Sequence, residues 1–211
     1  MNASVRRTID VSHLPEGGFD AHSPLWWGNL WMLVIESVMF AILIASYFYL
    51  RMNFHDWPPV QSNTNPPIYN TNPDLGFGTT ILALLLASCV PVIWRDRAAR
   101  REDQHAVKIG LVICFLVGVA CVVLRFQEFS SIHFKWNDNA YASTVWLIVG
   151  MHLLHLIVAS AECLFLMTFA FRCPMDRSHG LDVTVFAVYW YWVVGIWAFL
   201  YAIIYFCPRI L

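Results

Sequence analysis

The chain alternates long apolar stretches with short polar ones. Five apolar runs stand out: Trp27 to Leu50, Thr79 to Trp94, Ala106 to Leu124, Ala142 to Phe171 and Val183 to Phe206. Each approaches or exceeds the roughly 17–25 residues that a helix needs to cross a bilayer. The pattern predicts an all-α, polytopic membrane protein, a bundle of five transmembrane helices. It divides the chain into an N-terminal tail, residues 1–25, and a single five-helix domain, residues 26–211. Pro91 falls near the end of the second run and is expected to kink it there. The stretch from Met52 to Phe77 holds Trp57-Pro58-Pro59 and Asn65-Pro66-Pro67, so it cannot stay helical for long. No internal repeat is visible, and five spans do not split into the equal halves of an inverted-repeat transporter.

Composition agrees with the periodicity. Of the 211 residues, 59% are hydrophobic and only 13% charged, where a soluble domain carries roughly 25% charge. A net charge of -1 gives no reason to expect nucleic acid as a partner. Met1 to Pro24 is polar and of mixed charge, unlike a cleavable signal peptide, so the first span is expected to direct its own insertion. Six cysteines are present. None forms a CxxC pair, and Cys89, Cys114, Cys121 and Cys163 fall inside apolar runs, which reads as small core residues.

Charge placement orients the spans. The N-terminal tail and the regions following the second and fourth spans carry Arg6, Arg7, Arg95, Arg97, Arg100, Arg101, Lys108, Arg172 and Arg177. The opposite side carries Arg51, Arg125, Lys135 and Arg209. The bias predicts a cytoplasmic N-terminus and a C-terminus on the opposite side of the membrane.

Polar groups inside the spans are the candidate chemistry, because an ionisable side chain at membrane depth costs a few kcal/mol on insertion scales and is retained for a reason. Glu36 lies a third of the way into the first span, on one face with Phe40, Leu43 and Tyr47. It reads either as a carboxylate hydrogen-bonded to a neighbouring helix, or as a helix lock, a lipid headgroup contact or a proton-linked group. On the fourth span, His152, His155, Ala159 and Glu162 are spaced to share one side of a helix. One helix offering histidines three apart is thin for iron or copper. A structural pair, bonded to Glu162 or to a neighbouring helix, is the better reading. Arg125 and Glu128 are spaced for an ion pair at the membrane interface, or for a solvated helix end. The chain shows no Walker loop, GxGxxG, CxxCH or HExxH, and so no redox or hydrolytic motif of its own.

These residues carry a resemblance to the cytochrome c oxidase subunit III family of the heme-copper oxidases. Glu36-Ser37-Val38-Met39-Phe40 resembles its glutamate segment. Arg125 to Phe129 with Tyr141-Ala142-Ser143-Thr144, Gly150 to His155, and Tyr189-Trp190-Tyr191-Trp192-Val193 with Trp197 and Tyr201 resemble three further family stretches, in order, from about Trp26 to Phe206. Five spans resemble the family's shorter bacterial form, which lacks the first two of seven helices. The chain departs from the pattern at Arg125, where the family has Gln, at Leu153 for Gly, and at Tyr191 and Val194 for His and Asp. A proton-linked role therefore does not carry over onto the last helix.

The resemblance implies an accessory subunit of a proton-pumping terminal oxidase. It would hold no heme, copper or other metal itself, with heme and copper in partner subunits. It would pack directly on subunit I, share a complex with subunit II, bind phospholipid and sustain proton uptake. Membership of a respiratory supercomplex is left open. Glu36 is expected to face protein near the subunit I contact, protonated or hydrogen-bonded. Trp26, Trp27, Tyr47, Trp190 and Trp197 are expected at lipid or subunit contacts. Same-fold accessory subunits of a quinol oxidase or nitric oxide reductase, and a stand-alone transporter or channel, are the alternatives.

Overall fold

A computed structural model describes residues 23–59, 73–101, 103–173 and 179–210. The tail residues Arg6 and Arg7, the Asn65-Pro66-Pro67 segment and Arg177 lie outside the described residues. Among the described residues, five helices are long and apolar enough to cross a membrane: α1 (Pro24–Arg51), α2 (Leu75–Arg100), α3 (Gln104–Ser131), α4 (Ala140–Arg172) and α5 (Gly180–Tyr201). A π-helical turn, Ala202–Phe206, and a short α6, Cys207–Ile210, continue α5. No strand occurs among the described residues.

The helices run beyond the apolar runs at almost every end. Side-chain caps hold the starts of α3 and α4. Asp103 accepts from the Ala106 amide at 3.1 Å at the start of α3, and Asn139 from the Ala142 amide at 2.7 Å at the start of α4. Pro24 stands in the first turn of α1, where a missing N–H costs nothing. Helix α2 continues through Pro91 to Arg100. Arg95, assigned from sequence to a connecting region, is thereby inside a helix and fully buried.

Helices α2 to α5 pack around one another, and α1 lies against α4 and α5. Cross-helix hydrogen bonds set the register. Thr184 Oγ1 donates to Asp96 Oδ1 at 2.7 Å where α5 begins and α2 ends, and the Thr79 and Tyr201 hydroxyls lie 2.6 Å apart at the other end. So α2 and α5 are antiparallel. Helix α5 with its continuation to Ile210 is the most enclosed of the five, and α1 the least. Most of α1 therefore presents a bare apolar surface, including Trp31, Ile35, Val38 and Ile42.

Candidate functional site

Two polar clusters occupy the bundle, and α4 supplies a histidine to each. The first joins α1 to α4. His155 Nε2 lies 3.0 Å from Glu36 Oε2, and the two side chains are 8% and 30% exposed. The imidazole is held on three sides. Its Nδ1 lies 2.6 Å from the Met151 carbonyl, and the Phe40 and Trp192 rings pack at 5.1 and 5.3 Å. Trp192 Nε1 in turn donates to Ser37 Oγ at 2.8 Å, which donates to the Leu33 carbonyl at 2.6 Å. A carbonyl only accepts, so His155 Nδ1 carries a proton. The hydrogen bond to Glu36 then contains a single further proton. It is either on the carboxyl, facing a bare Nε2, or on an imidazolium facing a carboxylate. Both forms leave the pair with no net charge, which suits membrane depth.

The second cluster ties α3, α4 and α5. Arg125 Nη1 donates to Glu128 Oε2 at 2.5 Å, so the expected ion pair forms, and because both residues are buried the helix end is not solvated there. Helix α3 runs past the apolar segment to Ser131, and the folded bundle closes over the pair. Arg125 Nη2 lies 3.2 Å from His152 Nδ1, and His152 Nε2 lies 3.2 Å from the Val193 carbonyl. Arginine only donates, so Nδ1 bears the lone pair and Nε2 the proton, and His152 is neutral. The guanidinium rests on the Trp197 ring at 3.7 Å from its centroid. The remaining Glu128 oxygen accepts from the Tyr205 hydroxyl. The π turn carries Tyr205, and Gly78 of α2 leaves room for its ring, because a Cβ there would stand 2.5 Å from Tyr205 Cζ. One cation, one anion and a neutral imidazole therefore interlock without net charge. The arrangement can fix helix positions, and it holds no nucleophile.

The expected stripe on α4 is divided by its partners. His152 and His155 each bond to neighbouring helices, and neither bonds to Glu162. Glu162 is half-buried and lines a groove of about 360 Å³ with Leu25, Phe169, His179 and Asp182. Among the described residues, no group of three or more His, Cys, Asp or Glu is placed to hold a metal ion.

The aromatic residues expected at lipid or subunit contacts split by depth. Trp27 is exposed and Trp26 half-buried. Tyr47, Trp190 and Trp197 are corrected to the interior, with no exposed surface. Trp57 Nε1 donates to the Tyr47 hydroxyl at 3.0 Å, Trp190 Nε1 to Ser88 Oγ at 2.8 Å, and Trp197 lies under Arg125. The Tyr47 hydroxyl and the Trp190 N–H find partners inside the bundle, while Trp197 offers its ring face to Arg125 and its buried Nε1 has no hydrogen-bond partner among the described residues. Sequence reasoning missed Tyr205 and Arg95. Tyr205 gives no sequence signal, because a π turn decides its direction. Arg95 lay near the end of an apolar run and read as a loop cation.

Comparison of the sequence with known proteins points to one family. The sequence profile described as Cytochrome c oxidase subunit III matches residues 15–208. Cytochrome c oxidase subunit 3 of Aedes aegypti is 27% identical over 190 residues, covering 86% of this chain and 68% of that protein. The Rattus norvegicus protein of the same name is 26% identical over 205 residues, covering 90% of this chain and 74% of its own length. With the profile spanning nearly all of the chain and five membrane-length helices beneath it, the chain belongs to the cytochrome c oxidase subunit III family.

Proposed function

We propose that this chain is the accessory, non-redox subunit III of a proton-pumping terminal oxidase in a bacterial cytoplasmic membrane. The observation that carries the reading is the Glu36–His155 pair. It sits at membrane depth on the least buried helix, with 30% of the Glu36 side chain uncovered. A carboxyl edge open to hydrocarbon is costly, and the adjoining face of α1 is apolar. A helix of the catalytic subunit I, packed on that face, would cover both. Heme and copper belong in that reading to the partner subunits, including subunit II, and phospholipid fills the remaining apolar surface. The N-terminus lies in the cytoplasm and the C-terminus in the periplasm. The pair keeps the proton balance of the contact neutral while subunit I takes up protons over many turnovers.

Purification in mild detergent with an optical spectrum tests the assembly. Co-purifying heme A and copper supports a cytochrome c oxidase, and isolation as a lone colourless protein overturns it. The relatives' shared name favours this donor over quinol. Replacing Glu36 by Gln tests the site: oxidase activity should decay faster during sustained turnover. Unchanged activity and persistence would remove Glu36 from the proposal.

A further inference from the structure

Two buried guanidiniums lean on one stripe of α5. Arg125 rests on Trp197, and Arg95 of α2 rests on Phe186, with its Cζ 4.7 Å from the ring centroid. Phe186 and Trp197 are about three helical turns apart, so they face the same way. The two sites differ in what completes them. Arg125 has Glu128 and His152. Arg95 is 0% exposed, and none of its three nitrogens has a hydrogen-bond partner among the described residues. An aromatic face answers the charge but cannot accept five N–H groups.

The surroundings of Arg95 are built to admit it. A Cβ on Gly110 of α3 would lie 2.7 Å from Arg95 Cβ, so the glycine lets the arginine stem lie against the α3 backbone. At the next residue of α3, Cys163 Sγ of α4 donates to the Leu111 carbonyl at 3.5 Å, which brings the neighbouring Glu162 to the same turn of α3. The Glu162 carboxyl lies within electrostatic reach of the Arg95 guanidinium, yet no direct ion pair joins them. Glu162 also lines the groove of about 360 Å³ at the end of the bundle where α5 begins.

We infer that Arg95 and Glu162 bound an internal hydrated site, in which water molecules bridge the guanidinium to the carboxylate and exchange through the groove. The ligand must be small, because Arg95 is wholly enclosed. It must accept hydrogen bonds, because Arg95 only donates. It must be neutral, because Glu162 already balances the charge and a bound anion would leave a buried excess. Water meets all three conditions, and buried water characteristically serves such orphaned groups.

Radiolytic hydroxyl-radical footprinting of the purified complex, read by mass spectrometry, tests this directly, since radicals form at bound water. Cys114 and Cys163, beside Arg95, should be labelled several-fold faster than the equally buried Cys121. Glu162→Leu, which closes the site toward the groove, should lower labelling at Cys114 and Cys163 several-fold and leave the exposed Cys173 unchanged. Labelling of Cys114 and Cys163 no faster than Cys121 in the unaltered protein would overturn the inference. So would labelling indifferent to Glu162→Leu.

Discussion

His155 Nε2 lies 3.0 Å from Glu36 Oε2, and through this contact α4 holds the helix least enclosed by the bundle. The bond is worth more than its length suggests, because neither group has water to fall back on. Replacing Glu36 by Leu should destabilise the fold by about 0.6–2 kcal/mol, the range for hydrogen bonds between membrane helices. Adding His155→Phe to that variant should cost less than the two single changes summed. Thermal unfolding of the four proteins in detergent checks the coupling, and strict additivity would show the contact to be energetically idle.

Arg125 and Glu128 form a buried ion pair, so removing one partner strands the other. Arg125→Leu should cost about 3–5 kcal/mol and show as loss of folded protein in the membrane. Glu128→Gln added to Arg125→Leu should recover a measurable part, because Tyr205 can still donate to the amide oxygen. Arg125→Lys should not rescue, since an ammonium lacks the planar fork that reaches Glu128 and His152 while lying on Trp197. Folded yield by size-exclusion chromatography ranks the variants.

Gly78 and Gly195 are both helical, and their contacts set them apart. A Cβ at Gly78 meets the Tyr205 ring at 2.5 Å, while one at Gly195 has nothing within 4 Å. Gly78→Ala should cost about 1–3 kcal/mol through overpacking and draw Tyr205 away from Glu128. Gly195→Ala should be neutral or slightly stabilising in the isolated chain. Melting temperatures of the two variants decide it.

Cysteine labelling tests the orientation. Cys173 is exposed at the end of α4, and Cys114, Cys121 and Cys163 are buried. A membrane-impermeant maleimide should label Cys173 in inverted membrane vesicles and spare it in right-side-out spheroplasts. The buried three should react only after denaturation. Labelling of Cys173 from the periplasmic side would reverse the topology.

Trp190 and Trp27 separate interior from surface aromatics. Trp190→Phe loses the bond to Ser88 and leaves a gap, and should cost about 1–3 kcal/mol. Trp27→Phe, on an exposed side chain, should shift the melting temperature little.

The spans were legible because their signal is local: about twenty consecutive apolar residues admit few structures in a bilayer, where every backbone group must be satisfied internally. Glu36, His152, His155, Arg125 and Glu128 were legible as polar groups for the same reason, each out of place in its own segment. Their partners were not. Glu36 and His155 are separated by more than a hundred residues, and helical periodicity names a face without naming what the face meets.

By itself, then, the sequence determined the class, the five crossings, their alternation and the polar residues that needed an explanation. Only the tertiary structure decided which of them meet. It enclosed the Arg125–Glu128 pair inside the bundle, divided the α4 stripe between Glu36 and Arg125, and turned Tyr47, Trp190 and Trp197 inward. It also enclosed Arg95 without an acceptor and used a π turn to bring Tyr205 to Glu128. The physical reason is that crossing a membrane is a property of each segment, whereas satisfying a buried polar atom depends on which segments pack side by side.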